Sequence, residues 1–496
     1  MTADRLLQLP EALSLLFMLF SWWYIIEILN LLSDLTFHNE TPTYQVQLAT
    51  KAHPPGIKRG DKMKHVELDG RVGEGGGQVV RVAIAIAALT GQAVTITHVR
   101  GNRERGGLKS QHVTSIQFLA EITDADVEGL SVGSKTITFA PRRGPTELYQ
   151  RNIKISAESG SASSLLILQA VLPFLIFAGN GSEEPVEFLI SGGSNVSFSL
   201  SFEYLDQVLL PTMEERFGIH VERALERRGW SLGPQSRGQI RLKLHPLKIG
   251  QTLRFKSPEQ RIYPESYEIK SIDVSMVVPG SAHERLQASL TSGLGDLFSG
   301  ADVHFKHVED TNLDSRWYIL LVAHSTSGIR WGHDWLGSIP KKTKNRDMFA
   351  DQVSRKLCRG LYDEVAVGGQ VDIHLQDQVV VFQALCEGYS SFPRGDAPDE
   401  SPPNTLIDAM GKLDIGTGRV RKEKTHEPFG YGSLHTQTAR WVASEMLPSV
   451  EFYNKGNLVK GAGKVKTPMK ACILLSGVGW DVTWLPEDGL TQEQKF

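Results

Sequence analysis

Apolar positions in residues 66–99, "VELDGRVGEGGGQVVRVAIAIAALTGQAVTITHV", follow two different periods. The opening alternates like a strand, a glycine-rich turn follows, and Val79 to Leu89 is apolar at every position but Arg81, which predicts a buried helix. A second strand is predicted over Ala93 to Val99. The same order, small residues ahead of an apolar helix, recurs in "IKISAESGSASSLLILQAVLPFLIFAG" (153–179) and "VAVGGQVDIHLQDQVVVFQALCEG" (365–388). Three copies of one strand-and-helix unit are expected. Helices laid on one face of a sheet would make them a single α+β domain whose glycine turns share an edge.

Residues 247–365 have another rhythm. "YEIKSIDVSMVVPG", "ADVHFKHVED" and "RWYILLVAHST" read as strands, and "HERLQASLTSGLGDLF" and "DMFADQVSRKLCRGLYDEV" read as helices. They predict a smaller α/β domain inserted into a large domain made of 62–246 and 366–485. Within the latter, 389–432 combines "PRGDAPDESPPN" with "RVRKEKTHEPFG", too rich in proline, glycine and charge to pack, and a disordered loop is expected there. Residues 1–61 form an extension whose segment 12–32 is almost wholly apolar. Its unbroken stretch, Leu13 to Ile26, is shorter than the roughly 20 residues of a spanning helix, and no basic cluster precedes it. A membrane or targeting helix and an appendage ahead of the globular pattern are both open; membrane association is expected only in the first case.

Composition narrows the class. With 41% hydrophobic and 22% charged residues among 496, the chain is of the soluble globular kind. Its 53 Lys and Arg nearly balance 56 Asp and Glu, so no global positive field recruits nucleic acid and any such contact needs a local patch. Cys358, Cys386 and Cys472 are far apart, which argues against a disulfide framework or a thiolate zinc site and for a reducing compartment.

Four stretches carry candidate chemistry. Gly73 to Gln78 ("GEGGGQ") enters a helix, so its backbone NH groups could face an anion. Glu74 there could hold a divalent cation or a hydroxyl. Arg81, one turn into an apolar helix, must be paired or aimed at a ligand, and pairing with Glu74 or another buried acid is the plain alternative. In "HVRGNRERGGLKSQH" (98–112), Arg100, Arg103, Arg105 and Lys109 face one acid, Glu104. That suits phosphate, and a solvated basic loop is its bland counterpart. Gln111 and His112 open the next helix. In "IHLQDQ", Asp377 could orient a ring nitrogen or ribose hydroxyl, or merely offset a helix dipole. Finally, "YGSLHTQTAR" puts His435 in the first turn of a helix, where the dipole is expected to lower its pKa and keep the imidazole neutral and nucleophilic; an ordinary structural histidine is the plain alternative. A zinc role is disfavoured because no HExxH, paired His or Cys accompanies it.

"DGRVGEGGGQVVR", the small-residue helix 156–173, and "LQDQ" followed by "LHTQTA" together resemble the RNA 3'-terminal phosphate cyclase family over most of residues 62–480. The resemblance implies three repeated βαβαββ-like units with a small inserted domain. It also implies ATP-dependent conversion of an RNA 3'-terminal phosphate to a 2',3'-cyclic phosphate: His435 would attack the α-phosphorus of ATP, AMP would pass from the histidine to the RNA end, and the 2'-hydroxyl would close the ring. ATP, RNA with a 3'-phosphate end, and Mg2+ (or Mn2+) are the implied ligands. By position, Glu74 matches a metal and active-site acid, Gln78 and Arg81 its polar followers, and Arg100, Arg103, Gln111 and His112 a phosphate-holding segment. Gln169 matches a glutamine of the nucleotide pocket, and Asp377 and Gln378 the pair beside adenosine. The chain departs where His374 and Leu200 replace a tyrosine and a proline that flank adenine, which implies a weaker purine sandwich, and where 227–240 lacks a glycine run. A nuclear location is implied, cytoplasm being the alternative. The rival reading is a non-catalytic relative that acts as a scaffold in ribosomal RNA processing.

Overall fold

The structure is a computed structural model that describes residues 65–157, 159–160, 162–230, 235–256, 267–340, 343, 345–388, 390–392, 432–450, 452–454 and 457–458. The apolar segment 12–32 and most of the loop 389–432 lie outside the described residues.

The first unit runs β1 (Val66–Asp69), α1 (Gly77–Thr90), β2 (Val94–Thr97), α2 (Ser110–Thr123), β3 (Asp126–Glu128) and β4 (Ile137–Ala140). β1 and β2 are parallel, and β4 pairs antiparallel with both β2 and β3, giving the order β1-β2-β4-β3. α1 is buried from Gln78 through Leu89 and stops at Gly91, whose left-handed φ of 75° a side chain would resist. The second unit repeats the path: β5 (Asn152–Ser156), α3 (Ser164–Ile176), β6 (Val186–Gly192), α4 (Leu210–Phe217), β7 (Val221–Arg227) and β8 (Gly238–Leu244). Its sheet order, β5-β6-β8-β7, is the same topology. A short helical turn, Phe202–Tyr204, and a π-helical stretch, Leu205–Leu209, lead into α4.

The insert contains β9 (Ile269–Val278), α5 (His283–Leu297), β10 (Asp302–Asp310), β11 (Trp317–Ser325), β12 (Arg330–Gly337) and α6 (Arg346–Ala366), with strand order β10-β9-β11-β12. Its sheet has two buried faces. Ile272, Val274, Met276, Ile319 and Leu321 join Leu286, Leu290 and Leu294 of α5 in a core of its own, whereas Val277, Tyr318, Leu320 and Val322 belong to the main core. "WYILLVA" is continuously apolar for this reason.

The third unit is split. Arg254 forms a parallel bridge to Glu387, just after α7 (Ile373–Leu385), so a strand position lies ahead of the insert and its helix after it. Leu247, Leu253 and Phe255 pack with the main core, and the insert's own apolar packing begins at Tyr267. α8 (Leu434–Met446) is this unit's second helix, and β13 (Tyr453–Asn454) and β14 (Asn457–Leu458) follow it as an antiparallel pair of their own. The architecture is the α+β class with repeated units that the sequence predicted.

Arg228 ties the insert to the large layer. Its guanidinium lies 2.6 Å from Glu203 and 2.7 Å from Glu309 on β10, and donates to Asn195. Burial alone would lower its pKa, and the two carboxylates more than offset that. Arg228→Ala strands Glu203 in a dry site and is expected to cost about 3–5 kcal/mol of unfolding free energy, read by urea denaturation.

Candidate active site

α1 packs against α3 and α8, α8 packs against α7, and α3 also touches α7, so the polar start of α1 is enclosed by helices of all three units. The glycine turn ahead of it permits this approach. Gly73 has φ of 66°, and a Cβ there would come within 2.3 Å of Thr438 Oγ1. Thr438 on α8 instead accepts a hydrogen bond from the Glu74 NH at 2.8 Å and donates back to the Leu434 carbonyl at 2.7 Å. Asn102 holds the turn from the other side, donating through Nδ2 to the Arg71 carbonyl.

Glu74 is the centre of charge. Its side chain is 8% exposed, with Oε1 bonded to Arg103 and Oε2 3.0 Å from His435 Nδ1, close enough for an ion pair although off hydrogen-bond alignment. Burial pushes its pKa up, but His435, Arg81 and Arg103 outweigh burial and hold it at about 2. His435 responds in the opposite sense. The Glu74 carboxylate raises its pKa, against burial and Arg81, so the lowering expected from the helix start is overturned. A full carboxylate charge at ion-pair distance exceeds the roughly half charge of a helix end. Half of the imidazole, 49%, remains open to solvent.

Beneath this pair lies a buried amide network. Gln78 Nε2 donates to Asp377 Oδ2 at 3.1 Å, Arg81 donates to Gln78 Oε1 at 2.7 Å and Gln169 Oε1 at 2.5 Å, and Gln378 donates to Asp377 at 2.8 Å. Arg81 is thus satisfied by amide oxygens, because Glu74, the acid that could have paired with it, is engaged by His435 and Arg103. Asp377 has its pKa pushed up by burial to about 6, despite His435, Arg81 and His374.

His112 is 1% exposed. Its Nδ1 accepts the Lys109 NH at 3.1 Å, which leaves Nε2 to carry the proton. That Nε2 has no partner and would lie 2.7 Å from a Cβ at Gly77. Burial, Arg81, Arg100 and Lys109 push its pKa well down, so it is a neutral donor. Arg100, with a left-handed φ of 53°, folds onto its own loop and donates to the Arg105 carbonyl at 2.9 Å. Gln111 is half-buried in the first turn of α2.

A shallow apolar cleft opens beside the network, lined by Leu165, Leu168, Gln169, Leu200, Gln378 and Phe382 among others. Leu200 thus lines an apolar cleft next to Gln169 and Gln378. His374 is not in the lining: it is exposed, with its ring edge-on to Tyr204 at 6.4 Å. Thr438 and Asn102 were missed by the sequence reading; the threonine stands inside the quoted "LHTQTA", but nothing in a single chain ties it to Gly73.

A glycine turn at a helix start, guanidinium groups and a buried imidazole donor surround one half-open histidine, a set of groups whose chemistry suits an anion. The sequence model of the RNA 3'-terminal phosphate cyclase family matches residues 72–452. The RNA 3'-terminal phosphate cyclase of Methylococcus capsulatus is 30% identical over 374 residues, covering 72% of this chain and 96% of that protein. Those of Methanosarcina mazei (32%, covering 66% and 89%) and Pyrococcus furiosus (33%, covering 65% and 86%) are similarly close. This chain belongs to the RNA 3'-terminal phosphate cyclase family.

The raised Asp377 pKa gives a stability test. A carboxyl with a folded pKa of about 6 against 3.8 contributes stability that is full below 3.8 and lost as pH rises through 6. Asp377→Asn keeps an acceptor for Gln78 and cannot ionise. Its melting temperature relative to the wild type is expected to climb from pH 4 to pH 7 and level off above, by scanning calorimetry.

Proposed function

We propose that this protein converts an RNA 3'-terminal phosphate to a 2',3'-cyclic phosphate with ATP, through AMP bound covalently to His435. The observation that carries this reading is the His435–Glu74 pair: a carboxylate at Nδ1 favours the tautomer that leaves the Nε2 lone pair free. Nε2 attacks the α-phosphorus, a P–N bond forms, and the P–O bond to pyrophosphate breaks. Glu74 offsets the positive charge that develops on the ring. An oxygen of the RNA 3'-phosphate then attacks the same phosphorus and the P–N electrons return to the imidazole. The monoester becomes a mixed anhydride with AMP as a good leaving group. The 2'-hydroxyl, held beside the 3'-phosphorus by the ribose, displaces AMP and loses its proton to solvent.

Arg81, Arg103 and the His112 Nε2–H supply donors for the triphosphate and the RNA phosphate, and the cleft at Leu200 suits a purine. Mg2+ (or Mn2+) fits the donor set. Such an ion is held by one or two carboxylates together with substrate phosphates, and Glu74, the carboxylate at this point, would hold it by giving up part of its contact with Arg103 or His435. When bound, it would neutralise charge on the departing pyrophosphate.

Incubation with α-labelled ATP and Mg2+ is expected to leave acid-labile label on the wild type and none on His435→Ala. An unlabelled wild type, or label that survives the substitution, would overturn the covalent route. For the wild type, the labelling rate should rise with pH as His435 loses its proton. Glu74→Gln removes what raises that pKa, so the acid limb should move to lower pH while the maximal rate falls on the order of 10²-fold or more.

A further inference from the structure

The insert meets the start of α7 at one buried acid and at two backbone positions beside it. Asp372 is 0% exposed and precedes α7, the helix that carries His374, Asp377 and Gln378. Its Oδ1 accepts the His374 and Leu375 NH groups at 2.9 and 2.8 Å, which is an ordinary helix cap. The same oxygen also accepts the Tyr204 hydroxyl at 2.6 Å, and Oδ2 accepts the Gly332 NH of β12 at 2.8 Å. These two bonds come from outside the helix, one from each layer. The insert adds two more grips on this approach: Trp331 Nε1 donates to the Gly369 carbonyl at 3.0 Å, and Glu364 of α6 accepts the Ile373 NH at 3.1 Å. Gly332 is pressed against the Tyr204 ring, where a Cβ would come within 2.6 Å, and that ring meets His374 edge-on.

Capping alone needs only Oδ1. We propose that Asp372 is a positioning residue through which the insert fixes the start of α7, and with it the nucleotide-facing Asp377 and Gln378. The insert is then a clamp on the nucleotide site. This rests on the reading of that site as nucleotide-binding.

Asp372→Asn separates the two roles. The amide oxygen still caps α7 and accepts from Tyr204, but the amide NH2 faces the Gly332 NH, donor against donor. The probe is α,β-methylene-ATP, whose α–β bridge cannot be cleaved, so equilibrium binding is read apart from chemistry. Asp372→Asn is expected to raise the dissociation constant at least about fivefold, and Tyr204→Phe to raise it by a smaller factor, because pre-set geometry carries affinity. Leu290→Ala, in the insert's own core, lowers the melting temperature and is expected to leave the constant within about twofold, since distant sites act independently. Binding by Asp372→Asn equal to the wild type, or an equal loss in Leu290→Ala, overturns the proposal. Should Asp372→Asn not fold, Tyr204→Phe against Leu290→Ala decides it by the same criteria. A wild type that does not bind the analogue overturns both this proposal and the nucleotide reading. A wild type that binds it yet takes no label from ATP overturns only the covalent chemistry, and the ratios between variants still decide the clamp.

Discussion

A helix buried along its whole length must satisfy every polar group it carries, and α1 carries an amide and a guanidinium in its first turns. Gln78 is sealed from water and Arg81 all but sealed, at 8% exposed. Gln78 and Arg81 therefore draw an amide from α3 and a carboxylate from α7, while the glycine turn just ahead locks onto a threonine of α8. The site is where those demands are met, and it brings the three units together at one point. Apolar side chains at 78 and 81 would serve the core equally well, but they would leave the units no reason to converge their polar ends there.

Environment divides the ionisable groups at that point into two kinds. Glu74 and His435 favour their charged forms through each other, whereas burial drives Asp377 up to about 6 and pushes His112 well down. Two acids and two imidazoles thereby take four different protonation behaviours within one network. Separation of this sort is what allows similar side chains to hold unlike roles.

Much of the architecture was readable from periodicity. Extended runs such as that at 269–278, and apolar runs such as 165–176, leave little choice of element, and the insert's other strands and helices are equally regular. The strand position at Arg254 was not visible, because "TLRF" is too short to show a period and its partner Glu387 lies beyond a whole domain. The residues of the site were largely recognisable as types in suggestive loops, yet their partnerships were not. The dipole at the start of α8 is local and could be anticipated; the carboxylate that overrides it arrives from the far end of the chain. Arg81 reads as aimed at a ligand or paired with an acid, and it rests on amides instead, since a sequence does not reveal which acid has already been claimed.

The divided third unit also sets an order in time. On a growing chain, the first two sheets can close from contiguous sequence as soon as residue 244 has emerged. The edge at Arg254 has to wait, unpaired, for more than a hundred further residues before Glu387 arrives. His435 follows later still. A nascent or truncated chain can thus own two complete layers and a finished insert before the helix that brings His435 against Glu74 exists at all.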